Sequence, residues 1–174
     1  LSYIVLGAAL ATSASVLGGG LHILTHAFGK ITLFFCAGAI MVTTHKENVS
    51  DMRGIGRAMP LTMFAFLIGS LSVIGLPPFA GAWSKWYLAV GAMEANHAFF
   101  VAVLMISSLL NIAYLMPVVV QAFFPGANPT EFEDGMREAP LACLIPLLLT
   151  AIGCVVIFIY PDPFHALLQQ VVGD

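Results

Sequence analysis

Four basic side chains lie where apolar sequence surrounds them: His22, His26, Lys30 and Lys85. A lysine at bilayer depth costs about 2.5–3.5 kcal/mol on insertion scales, so a chain keeps one there only in a special setting. Lys85 follows an interruption in which Gly75, Pro77, Pro78 and Gly81 stand close together. Non-helical backbone at that depth is tolerated only against protein or a watery cavity. A broken helix beside a lysine therefore points to an intramembrane ion or proton site. The bland alternative is snorkelling, because Trp83, Trp86 and Tyr87 are residue types of membrane faces.

His22, His26 and Lys30 follow one another at one-turn spacing, which puts them near one helix face. Lys30 has residues 21–25 before it and 32–41 beyond it, all apolar or small and uncharged apart from His22, so it is harder to snorkel. Neutral imidazoles pass protons by exchanging tautomers. A single histidine is usually a satisfied core residue; two in register with a lysine weigh toward a relay. A zinc helix of the H-E-x-x-H type would carry a glutamate after the first histidine. Ile23 stands there and no third ligand is near, so no metal site is expected. Ser107, Asn111 and Glu94 are secondary candidates. Intramembrane Ser and Asn more often bond a neighbouring helix than do chemistry, and Glu94 is expected near a membrane face.

Composition sets the class. The 174 residues are 60% hydrophobic and 9% charged, against about 25% charged in soluble domains. The chain is an integral membrane protein with the lipid bilayer as its first partner. Net charge is -3, with no basic surface for nucleic acid. Cys36, Cys143 and Cys154 all lie in apolar runs, without C-x-x-C spacing, and read as small buried hydrophobes. Nucleotide motifs and nucleophile–base sets are missing, as are ligands arranged for haem or iron–sulfur clusters. No cofactor and no catalytic centre of its own are expected. Leu1 opens without methionine or a basic region, as if the sequence entered a longer polypeptide partway.

These residues must be positioned by membrane helices. Residues 1–17 read as a first span ended by Gly18, Gly19 and Gly20, and residues 21–43 as a second. A polar loop at 45–59 carries Lys46, Arg53 and Arg57. Pro60 suits the first position of the next helix. Residues 61–76 and 82–95 flank the break, and each is short for about 30 Å of hydrocarbon. They are either two short spans or parts of one discontinuous helix. Residues 98–124 form a long span containing Pro117. An acidic loop at 125–139 holds Glu131, Glu133, Asp134 and Glu138. Residues 140–160 form a last span, stopped by Pro161 and Pro163, and 164–172 suit a short amphipathic helix at the interface. Five to seven membrane segments result. The loop at 45–59 has the larger Lys/Arg count, which favours the cytoplasmic side for it.

The assembled motifs resemble a known family. His22, His26, Lys30, Leu33, Phe34, Ala37 and Gly38 fit an H-x-x-x-H-x-x-x-K-x-x-L-F-x-x-A-G segment. Asp51 to Gly56, then Met59 and Pro60, then residues 75–85, follow in the order and spacing of that family. It is the family of antiporter-like subunits shared by Mrp-type cation/proton antiporters, proton-pumping NADH:quinone oxidoreductase (complex I) and membrane-bound hydrogenases. The resemblance covers most of residues 1–124.

The resemblance implies an all-α integral membrane protein. Residues 1–124 would be the second of two inverted repeats of five transmembrane helices with a discontinuous helix. Residues 125–174 would add the acidic loop, a final transmembrane helix and an interfacial tail. Lys30 would match the central lysine of the path, His22 and His26 its accompanying histidines, and Lys85 the lysine of the discontinuous helix. Gly75, Pro77, Pro78 and Gly81 would form the helix break. The wording of residues 75–88 looks most like a D subunit of Mrp-type antiporters. The expected function is proton translocation, with Na⁺ as the candidate exchanged ion, in the plasma membrane of a bacterium. The partners would be other membrane subunits of an antiporter or redox complex; any enzyme role would belong to an NADH:quinone oxidoreductase of which this chain is one part. The alternative is a non-transporting structural membrane subunit that anchors its partners.

Overall fold

The computed structural model describes residues 1–46, 48–124 and 137–172. The described residues are helical, with no strand among them. Eight α-helices run in order among these residues: α1 (Ser2–Leu10), α2 (Ser13–Thr44), α3 (Ile55–Ala58), α4 (Pro60–Ile74), α5 (Gly81–Glu94), α6 (Ala98–Phe123), α7 (Leu141–Ile159) and α8 (Asp162–Val172). A short 3-10 turn covers Val49–Met52. Three of the described helices, α2, α6 and α7, are long and apolar enough to cross a membrane. The apolar α4 is shorter, at 15 residues, so the expected count of five to seven spans is not reached by length alone.

The first span differs from expectation. The chain breaks at Ala11 and Thr12, and α2 then runs unbroken through Gly18, Gly19 and Gly20. The break is local chemistry. Ala11 is left-handed at φ 53°. The Thr12 hydroxyl accepts from the Ser15 amide, and the Ser15 hydroxyl accepts from the Thr12 amide. This reciprocal cap satisfies donors that the new helix would otherwise leave open. The glycines serve packing: a methyl on Gly18 would sit 2.7 Å from the Leu88 amide of α5, and one on Gly20 would meet Leu168 of α8.

α2 is the axis of the bundle, packed by α1, α4, α5, α7 and α8. A core of Cys36, Ile40, Ile55, Met59, Met63 and Leu147 closes one end. There the Glu138 carboxylate accepts from the Leu61 amide and the Thr62 hydroxyl, at 2.6 and 2.9 Å. It caps the otherwise open amides at the start of α4, where Pro60 is the first helical residue as expected. The rest of the acidic loop, residues 125–136, lies outside the described residues. Pro161 separates α7 from α8, and α8 takes up the segment predicted as a short amphipathic helix.

Candidate functional site

The break between α4 and α5 begins with Gly75 at φ 84°. The Leu76 amide donates to Leu71 O and the Gly75 amide to Ser72 O, at 3.1 Å each. This pattern turns a chain out of a helix through a left-handed residue, which glycine adopts without strain. Gly81 then starts α5 against the last turn of α4. A methyl at Gly81 would collide with the Ser72 carbonyl oxygen. The last membrane helix pins the break. The Ala80 amide donates to Cys154 O at 3.0 Å, and the Trp83 indole N–H to Phe158 O at 3.1 Å. Residues 75–80 are thus a turn held to its neighbours by backbone hydrogen bonds, the arrangement that buried backbone requires.

Lys85 uses this turn. Its Nζ donates to the Ile74 carbonyl oxygen at 2.6 Å and to Ser108 Oγ of α6 at 2.8 Å. Ile74 is the last residue of α4, whose end carries partial negative charge and open carbonyls. The ammonium also lies 5.3 Å from the centre of the Tyr3 ring, within reach of a cation–π attraction. The side chain is half-buried, and its ammonium is engaged by groups of α4 and α6.

From Lys85 the polar groups continue. The Tyr3 ring lies 4.8 Å from the His22 ring, and His22 lies 5.4 Å from His26, roughly stacked. His22 Nδ1 is 3.0 Å from Ser84 Oγ, and that hydroxyl donates to Gly81 O at 3.0 Å. With its hydrogen given to Gly81, Ser84 Oγ can accept from a protonated Nδ1, one of the two tautomers this contact admits. The opposite nitrogen, His22 Nε2, is buried without a partner among the described residues. In that tautomer it is the lone-pair end of the ring.

Lys30 is exposed on the surface of this bundle, while His22 is buried and His26 is intermediate. Helix geometry gives the reason. Each step of four residues advances the face by about 40°, so Lys30 is turned by about 80° from His22. The three residues therefore form a ramp from interior to surface. Ile23, Ile31, Phe34 and Phe35 are exposed on α2 as well. Among the secondary candidates, Ser107 accepts from the Tyr3 hydroxyl at 2.6 Å. Asn111 is half-buried and Glu94 is exposed at the end of α5. No group of three His, Cys, Asp or Glu comes together among the described residues. Sequence reasoning missed Tyr3 and Ser84. Ser84 adjoins Lys85 in sequence; Tyr3 carried no signal, since only folding brings α1 over α2 and α6.

Residues 1–111 match the family described as "NADH:quinone oxidoreductase/Mrp antiporter, TM". The chain is 43% identical over 170 residues to NADH-quinone oxidoreductase subunit N of Desulforudis audaxviator, covering 92% of this chain and 34% of that protein. It is 28% identical over 151 residues to a Na(+)/H(+) antiporter subunit of Bacillus subtilis, covering 81% of this chain and 19% of that one. The chain thus spans about a third or less of the length of these relatives. Its fold matches a chain of the Mrp complex from Dietzia sp. DQ12-45-1b with TM-score 0.88 at 21% identity, over 98% of this chain and 39% of that chain. It matches a chain of respiratory complex I from Thermus thermophilus with TM-score 0.79 at 20% identity, over 99% and 37%.

Proposed function

The chain belongs to the NADH:quinone oxidoreductase/Mrp antiporter transmembrane family, and we propose that it moves protons along the array from Lys85 to Lys30. It is a membrane subunit of the kind found in complex I-like and Mrp antiporter complexes. Within that class, Lys85 and Lys30 alternate between charged and neutral forms, and His22 and His26 pass the proton between them. Na⁺ is the exchanged ion if the assembly is an antiporter. The 43% identity to an oxidoreductase N subunit weighs toward a redox-linked assembly over the Mrp D-type wording of residues 75–88.

The observation that carries this is the Lys85 ammonium on the open carbonyl of Ile74, with Tyr3, His22 and His26 following it in series and Ser84 bonded to His22. Charges in such an array sense one another. At an effective dielectric of 20, two unit charges ~4 Å apart interact by about 4 kcal/mol, falling as 1/r. The exposed face around Lys30 supports a place for this chain as the second inverted five-helix repeat. The missing partner surface would then be the other half of the subunit.

The test is Lys85→Ala and Lys30→Ala in the assembled subunit, with ion-gradient formation measured in vesicles. Both substitutions are expected to abolish the gradient. Full assembly with undiminished flux in both would overturn the relay and favour a structural, anchoring role.

A further inference from the structure

Beside Lys85 a groove of about 820 Å³ opens between the 75–77 turn, α5, α6 and the end of α7. Cavities of about 300–1,000 Å³ take small-molecule ligands. Its walls include Trp83, Trp86, Met105 and Leu109, and its polar end is formed by Lys85 and Ser108. Trp86, Met105 and Leu109 are 65–68% exposed, so the mouth faces outward from the bundle.

Charge defines what fits. Lys85 is the one charged side chain in the lining, and no carboxylate pairs with it among the described residues. An ammonium has three N–H donors, and the bonds to Ile74 O and Ser108 Oγ use two. Ser108 Oγ accepts from Lys85, and its own hydrogen has no acceptor among the described residues. The apolar slot thus ends at a net positive charge, where the ammonium and the Ser108 hydroxyl lie side by side.

We propose that this groove binds one long-chain fatty acid, its carboxylate bridging Lys85 and Ser108 and its acyl chain lying along α6. One carboxylate oxygen takes the third ammonium hydrogen and the other takes the Ser108 hydrogen. Charge-assisted bonds of this kind are short and strong. A single chain and a two-oxygen head match one slot and two donors. A bound carboxylate holds Lys85 in its charged form, so an occupied groove stops proton passage. That consequence rests on the relay above; binding itself does not.

The probe is a photoactivatable palmitic acid analogue, applied to the protein in its native membrane assembly, with adducts mapped by peptide mass spectrometry. Adducts are expected on residues 83–89 and 101–112, displaced by excess oleate. Lys85→Met removes the charge and is expected to cut labelling about tenfold, the factor for a lost charged hydrogen bond. Ala89→Trp and Leu109→Trp fill the groove from opposite walls, and each is expected to abolish labelling while leaving transport intact. Unspecific labelling, or undiminished labelling in both groove-filling variants, overturns the proposal. Displacement by anionic phospholipid as effective as by oleate makes the occupant a phospholipid and overturns it too. Adducts that form only after the assembly is dissociated assign the groove to a partner helix and overturn it likewise. Oleate should also slow transport in the wild type but not in Ala89→Trp. Displaceable adducts without that slowing leave the binding site standing and sink the relay.

Discussion

The Lys85 ammonium closes the end of α4: it reaches back across the break to the carbonyl oxygen of Ile74, 2.6 Å away. Cation and helix terminus satisfy each other, so the break and the lysine are one device. The helix end compensates part of the desolvation cost of the ammonium, and the lysine occupies a carbonyl that the break leaves open. Glycine is required on both sides of the contact. At Gly75 a methyl would sit 2.6 Å from Lys85 Cδ, at a backbone φ of +84°.

Gly81→Ala is expected to be more damaging than Gly75→Ala. At Gly81 the added methyl meets backbone, which cannot rotate away. Overpacking of this kind costs about 1–3 kcal/mol. At Gly75 the neighbour is the flexible stem of Lys85, so the substitution is expected to displace the ammonium and lower transport with a smaller loss of stability. Thermal unfolding in detergent, read beside proton flux, checks the order.

The two lysines should separate stability from transport. Lys30 is exposed on this bundle, so Lys30→Leu is expected to cost the bundle less stability than Lys85→Leu while transport is lost. Lys85→Leu removes the partner of Ile74 O and Ser108 Oγ and is expected to cost about 1–3 kcal/mol as well as transport. Equal melting temperatures for the two variants would count against the closure of α4 by Lys85.

Ser84→Ala tests the fixed histidine. The Ser84 hydroxyl is the only hydrogen-bond partner of the His22 ring among the described residues. Its loss leaves both ring nitrogens unpaired in a buried site, at a cost of about 1–3 kcal/mol, and frees the choice of tautomer. Transport is expected to fall although no charge is removed. Nitrogen NMR of labelled His22 would show one tautomer in the wild type and a mixture in the variant.

Glu138→Gln tests the distant cap. The carboxylate serves the Leu61 amide and the Thr62 hydroxyl at the far end of α4 from Lys85. Removing its charge at a helix N-terminus is expected to cost about 0.5–2 kcal/mol. Transport per folded molecule should be unchanged. A flux defect larger than the fall in folded protein would give Glu138 a direct part in conduction.

Hydropathy and motif spacing by themselves determined that this is a helical membrane protein, where α6 and α7 run, that a break precedes Lys85, and which family it resembles. Those properties are local: apolar runs, glycine and proline punctuation, and one-turn spacing act through near neighbours in the chain. The Ala11–Thr12 break was legible only in hindsight. Gly18, Gly19 and Gly20 are the stronger breakers by propensity, and packing against α5 and α8 overrides it. Only the tertiary structure decided what each lysine faces. Lys30 looked the more buried of the two because sequence counts apolar neighbours along the chain. Burial depends on which helices cover a face, and none of the described residues buries Lys30 on that face of α2. Lys85 looked free to snorkel beside its tryptophans. Its partners, Ile74 O, Ser108 and the Tyr3 ring, come from helices 11 to more than 80 residues away in sequence, contacts that no local pattern encodes.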